Sequence, residues 1–371
     1  NLEMEKNTLI SNLPVFMIGS FGHSGIDWIH SLLDSHSQIL IMPAFSYFRT
    51  LEKIKREKKI NIYKTSNLEI SKTISNMFYL DKAYQSSERK FLNNQIDKNN
   101  FELYLQQYLI SQKNNNKIQN IFYGIHFAYA KLYNIDLNKK KILISHEHVS
   151  WHCEEYKKYF NSKFIIIFRD PRASLGGGIL KMRNFNFDKK LNSFQLDTML
   201  LTMFSAYNFS NKNKEIVYPI INELMHKNLK KEMSNLSNWL KIDYHDSMLN
   251  QTRINKKIYS DSAYLNENKQ ILPKDFYEIT KVEKRWRSVL STKEILFIEV
   301  IFRKMMFSFN FKKDNELHFL NILKGYFYCH FLNLHQNKYK SIKIIVLLRN
   351  LIRRMLILSL GAKTKYFFNF K

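Results

Sequence analysis

The stretch PVFMIGSFGHSGIDWIHSLLDSH, from Pro14 to His36, decides how this chain is read. A short apolar run, Val15 to Ile18, enters a loop of Gly19, Ser20, Gly22, Ser24 and Gly25, and apolar residues at helical spacing leave it. Strand, glycine-rich loop and helix in that order gather backbone N–H groups and a helix N-terminus around one point, which attracts an anion. Two side chains are unusual for such a loop: the basic position is His23, and a position that usually carries a hydroxyl is Asp27. Ser24-Gly25-Ile26-Asp27 also has the spacing of a capping box, so Ser24 is expected to cap the helix and Asp27 to fold back onto its first amide.

Working outward, three further strand-like runs follow, Ile142–Ser145, Phe164–Phe168 and Ile216–Tyr218, with helical patterns between them. The alternation predicts an α/β protein with a mainly parallel, P-loop-like sheet and helices on both faces. Ligands of such sheets bind at the carboxyl ends of the strands, so the loops after Ile18 and Phe168 are the places to look. Residues 48–140, rich in Lys, Asn and Gln with scattered aromatics, read as a helical cap over the site. Within RWRSVLSTKEILFIEV, Ser291 stands three residues before Glu294 and predicts a second capping box.

The 371 residues are 45% apolar, enough for a sizeable core, and 58 Lys and Arg against 32 Asp and Glu give a formal charge of +26. That excess favours anionic partners such as nucleotides, anionic saccharides or lipid headgroups. Lys, Asn, Ile, Tyr and Phe are abundant together, the signature of AT-rich coding, so the charge is not read as a sign of nucleic-acid binding. The two cysteines, Cys153 and Cys329, are far apart, which fits a reducing, cytoplasmic setting rather than a disulfide scaffold. No secretory signal is visible; residues 1–13 read as an extension, with the three residues before Met4 as an appended segment. Residues 312–371 form a basic amphipathic tail in which Lys343, Arg349, Arg353, Arg354, Lys363 and Lys365 interrupt apolar runs. Two readings of it stand: a helix lying peripherally in an anionic membrane surface, or a terminal helix packed on the core with its basic face outward.

KFIIIFRDPRASLGGGILKMRN carries the second motif, Arg169-Asp170-Pro171-Arg172 just past a strand. In company with the first loop it resembles the motifs of sulfotransferases that use 3′-phosphoadenosine 5′-phosphosulfate. EHVSWH (Glu147–His152), NWLKIDYHDSML, TRINKKIYSDS (Thr252–Ser262) and the Ser291 helix are similar to later family segments, so the resemblance spans residues 14–311. It implies the sulfotransferase fold, a donor bound by Gly19, Ser20, Gly22, Ser24, Gly25, Arg169, Arg172, Ser174, Lys256 and Lys257, and transfer of a sulfuryl group to a hydroxyl or amine on a saccharide or lipid. The departures from the family pattern are His23 for arginine, Ile26 and Asp27 for two threonines, Gly177 for a serine, and Ile258 and Ser260 in the basic loop. They keep open a different phosphorylated donor on the same scaffold, or a catalytically silent, membrane-associated binding protein.

Sulfuryl transfer needs a cation near the leaving oxygen and a base for the acceptor. His23 is the candidate cation; Glu147 or a neighbouring histidine, His148 above all, is the candidate base. Strand alternation puts His146 and His148 on one face. A zinc site of His-x-His with His152 is the alternative, but no cysteine or carboxylate stands at convincing spacing, and no metal is expected.

Overall fold

The computed structural model describes residues 9–43, 45–82, 84–85, 90–112, 116–184, 191–254, 256–257, 279–331, 352 and 354–357. Its centre is a parallel sheet of five strands: β1 (Val15–Ser20), β2 (Ile39–Ile41), β3 (Ile142–Glu147), β4 (Lys163–Phe168) and β5 (Val217–Ile221), in the order β2-β3-β1-β4-β5. β1 is buried along its whole length, as expected of a strand covered on both faces. β5 lies at an edge and tolerates Pro219, whose missing N–H would break a central ladder. The neighbours β3 and β4 flank β1, so the chain leaves the middle of the sheet in both directions and opens a crevice beyond the carboxyl end of β1. Strand β2 is the one the apolar runs did not announce, since it holds only three residues.

Helices fill both faces. Phe16 and Ile18 of β1, Ile144 of β3 and Ile165 of β4 pack with Ile29 and Leu33 of α1 (Ile26–Leu33). The opposite face, with Met17 and Ile166, belongs to a larger core fed by α2 (Tyr47–Glu57), α3 (Asn67–Leu80), α4 (Gln95–Ser111), α5 (Lys117–Leu132) and α6 (Cys153–Phe160). Tyr47, Phe78, Phe101, Phe122 and Tyr156 are fully buried there. The polar 48–140 stretch is therefore built into the main core, its aromatics spaced along helices whose other sides carry the Lys and Asn.

Beyond β4 follow α7 (Pro171–Asn184) and α8 (Leu191–Lys212), and near the end α9 (Thr292–Ile301) and α10 (Phe319–Phe331). The capping box at the start of α9 is formed in both directions: Ser291 accepts the Glu294 amide, and the Glu294 carboxylate accepts the Ser291 amide. The tail departs from expectation in one respect. Arg354, counted with its outward basic face, is inside the protein, its Nε 3.0 Å from Asp197 of α8, and Ile357 is fully buried beside it. A cation on an apolar segment finds its counter-ion within the fold here. The rest of 332–371, and the basic loop 258–278, lie outside the described residues. No helix among the described residues is long and apolar enough to cross a membrane.

Candidate functional site

The loop after β1 is shaped by its own hydroxyls. Ser20 accepts the Gly22 amide at 2.8 Å and Ser24 accepts the Phe21 amide at 3.2 Å. Gly22, His23 and Gly25 all have positive φ, 93°, 44° and 91°, which curls the backbone into a concave nest. Gly25 is required twice over, by its left-handed backbone and because a Cβ would lie 2.4 Å from the Asn222 amide nitrogen. The N-cap of α1 is Gly25, with no side-chain cap. The capping box expected at Ser24 and Asp27 is thus not formed: Ser24 turns back to Phe21, and the carboxylate of Asp27 points to histidines.

Two residues at the end of β5, neither singled out from the sequence, brace the crevice. Asn222 donates to the Ser24 carbonyl at 2.9 Å, and Glu223 accepts the Asp170 amide at 3.0 Å. Burial pushes the Glu223 carboxyl up to about 7, with Arg169 partly opposing the shift. His226, stacked on Trp28 at 4.2 Å, is pulled down to about 4 by burial and by Arg169 and Arg285.

The arginine motif divides. Arg169 is half-buried against the loop, donating from Nη1 to the His23 carbonyl at 3.2 Å, and its buried Nε has no partner among the described residues. Arg172 points into the core instead. Nε and Nη2 hold Asp170 at 3.0 and 2.6 Å, Nη1 holds Glu299 at 2.6 Å and Asp314 at 3.4 Å, Nη2 also donates to the Lys312 carbonyl at 2.6 Å, and Trp286 stacks on the guanidinium at 4.3 Å. All five N–H donors are used, so the donor-binding role expected of Arg172 gives way to a structural one. Ser174 is fully buried, its hydroxyl without a partner among the described residues. His23 lies against α7, where Gly178 leaves room for its ring: a Cβ there would come within 3.1 Å of the His23 Cδ2. Lys256 and Lys257 form a short antiparallel ribbon with Thr252 and Arg253, held to the far end of α1 through Thr252 and Asp34 at 3.0 Å; their side chains lie outside the described ones.

The segment after β3 splits by strand alternation. His146 faces α1, its Nδ1 3.0 Å from Nδ1 of His30 and its Nε2 3.1 Å from Nε2 of His148. Asp27 Oδ1 lies 3.7 Å from the first and 3.9 Å from the second of those Nε2 atoms. Burial lowers the pKa of His30, against the pull of Asp34 and Asp27. Glu147 faces the opposite way, fully buried, near the Ser46 hydroxyl and accepting the Val149 amide at 3.4 Å; burial pushes it up to about 7. His152 is also buried on that side, 3.6 Å from Glu52 and 3.8 Å from Glu155. As a base for a substrate, Glu147 has no exposed edge, whereas His148 does. Asp27 and His30 were missed as partners of His146 because the tertiary fold alone brings α1 against the end of β3.

No family model and no curated protein matches this chain. Among solved structures it is similar to a sulfotransferase domain from the curacin biosynthetic pathway (14% identity, TM-score 0.45, covering 81% of this chain and 98% of that one). It is similar also to a sulfotransferase domain from the Synechococcus PCC 7002 olefin synthase (15%, 0.41, 87% and 96%) and to a sulfotransferase from Mycobacterium avium (11%, 0.40, 85% and 82%).

Proposed function

We propose that this protein transfers a sulfuryl group from 3′-phosphoadenosine 5′-phosphosulfate to a hydroxyl or amine of a saccharide or lipid. The observation that carries the reading is the meeting of three anion-binding features: the positive-φ nest at Gly22–Gly25, the N-terminus of α1 without a side-chain cap, and the Arg169 guanidinium with its unpartnered Nε. The motif order along the chain, loop first and Arg-Asp-Pro-Arg second, supports sulfuryl over other transfers. In the reaction the acceptor oxygen forms a bond to sulfur as the bridging oxygen leaves with the nucleotide phosphate, and the acceptor proton departs to a base. Arg169 and the loop amides meet the charge growing on the leaving phosphate. The basic side of the reaction falls to the cluster of Asp27, His146 and His148, the titratable group next to the nest that reaches solvent.

A second reading, a donor without the 3′-phosphate, is favoured by one observation, the consumption of every Arg172 donor inside the core. Calorimetric titration separates the two. Adenosine 3′,5′-bisphosphate should bind the parent protein, and Arg169→Ala should weaken it by roughly 1.5–3 kcal/mol, the scale of a lost charged hydrogen bond. Tighter binding of adenosine 5′-phosphosulfate than of the bisphosphate would favour the second reading, and no binding of either nucleotide would reject the cradle.

A further inference from the structure

We infer that Asp27, His146 and His148 form a binding site for a divalent transition-metal ion of the zinc class, directly behind the anion nest. The geometry is that of a ligand set. The three atoms concerned, Oδ1 of Asp27 and Nε2 of each histidine, are separated by 3.1, 3.7 and 3.9 Å, so the circle through them has a radius of about 2.1 Å. A single point is therefore at bonding distance from all three, since zinc bonds imidazole nitrogen at ~2.0–2.1 Å and carboxylate oxygen at ~2.0–2.2 Å. Two neutral imidazoles and a carboxylate form a nitrogen and oxygen set suited to zinc, iron or nickel; Mg²⁺ and Ca²⁺ prefer oxygen alone.

The surroundings agree with that assignment. His146 is buried and its other ring nitrogen lies 3.0 Å from Nδ1 of His30. With both Nε2 lone pairs on an ion, the His146 proton must be at Nδ1, where it donates to His30, the outer partner that fixes tautomer and ring direction in metal-bound histidines. Access is open, because the Asp27 side chain is 39% exposed and that of His148 21%. Three ligands lying nearly in one plane with the ion leave positions above and below for water or an acceptor hydroxyl, as a reactive site requires. An ion also removes a conflict of charge. Asp27 belongs to the first turn of α1, two residues past the nest, where an uncompensated carboxylate repels the anion that the nest attracts. Bound metal reverses that sign.

Zinc binding and nucleotide binding are read separately, so either can fail while the other stands; with an ion held, the three side chains act as its ligands, and the acceptor proton would pass to a metal-bound hydroxide instead of to a free imidazole. The full chain, stripped with a chelator, is titrated with Zn²⁺ in competition with a chromophoric chelator, and separately with Co²⁺ while visible d–d absorption is recorded. One equivalent of each should bind, with Co²⁺ bands of a four- or five-coordinate nitrogen and oxygen site, and Mg²⁺ should not compete. His148→Ala and Asp27→Asn, both at accessible positions, should each weaken Zn²⁺ binding by at least tenfold while leaving the melting temperature of the metal-free protein within a few degrees. His30→Ala, acting through His146, should weaken it roughly 10–100-fold. Absence of stoichiometric binding in the parent overturns the site, and so does binding of undiminished affinity in both His148→Ala and Asp27→Asn.

Discussion

Arg169 and Arg172 stand on either side of Asp170-Pro171, and the fold treats them as opposites. Arg172 is a bolt: its guanidinium joins Asp170 in the turn to Glu299 of α9 and to Asp314 beyond it, with every donor engaged and Trp286 against its face. Arg169 rests one N–H on the His23 carbonyl and keeps a buried Nε without a partner among the described residues. The two differ because carboxylates from distant parts of the chain converge on one of them. At the other, Glu223 spends an oxygen on the Asp170 amide and is driven toward its neutral form by burial. A cation with acceptors all round it holds a structure together; one left short of acceptors beside a nest of amides is what the proposed donor site draws on.

The largest effect expected from this contrast is on Arg172. Arg172→Ala leaves Asp170 and Glu299 buried without their cation and should cost about 3–5 kcal/mol in urea denaturation. Arg172→Lys should recover little of it, because one ammonium cannot span the same acceptors. A stable Arg172→Ala protein that has lost nucleotide binding would exchange the roles of the two arginines.

Next comes a pH dependence that separates a tight Arg169–Glu223 ion pair from a loose one. With its folded pKa raised from 4.5 to about 7, Glu223 keeps its proton in the native state over a range where the unfolded chain has lost it. Its contribution is therefore fully present below about pH 4.5, falls as pH rises through about 7, and is level above. The full swing is on the order of 3 kcal/mol. Glu223→Gln should remove this fall, measured as the difference between the denaturation midpoints of variant and parent across that range. A difference of opposite sign would mean that Glu223 is held ionised and Arg169 is bolted too. Arg169→Ala itself should change stability by roughly 1 kcal/mol or less, measured alongside the calorimetry, since it removes one hydrogen bond to a carbonyl.

The smallest effect tests a second contrast of the same kind. Ser24-x-x-Asp27 and Ser291-x-x-Glu294 share one spacing, yet only the latter is a capping box. Ser291→Ala should lose about 1 kcal/mol of stability, whereas Asp27→Asn in the metal-free protein should lose less than about half of that. Equal losses in thermal or urea unfolding would restore Asp27 as a cap.

The contrast also shows how far the sequence could be read. The loop from Gly19 to Gly25, the strands around Val15, Ile142, Phe164 and Val217, and the Ser291 box were legible because each depends on neighbours in the chain: apolar runs, glycines where φ is positive, a hydroxyl three residues from a carboxylate. Asp27 was misread for the same reason. Its local pattern allows a cap, and nothing local reveals that His146 and His148 wait at the end of β3.

By itself the sequence determined the α/β class, the order of its main strands, and the place along the chain of the glycine-rich loop, since hydrophobic periodicity and backbone permissiveness are properties of short segments. The tertiary structure decided which polar groups are neighbours. It closed Arg172 on Glu299, set Asn222 and Glu223 against the two loops, drew Arg354 in to Asp197, and turned His146 toward Asp27 while turning Glu147 away from it. Parallel strands adjacent in the sheet but distant in the chain bring those side chains together, and strand alternation then assigns each to a face. Whether a charged residue is a bolt or a ligand is set by the acceptors that surround it after folding.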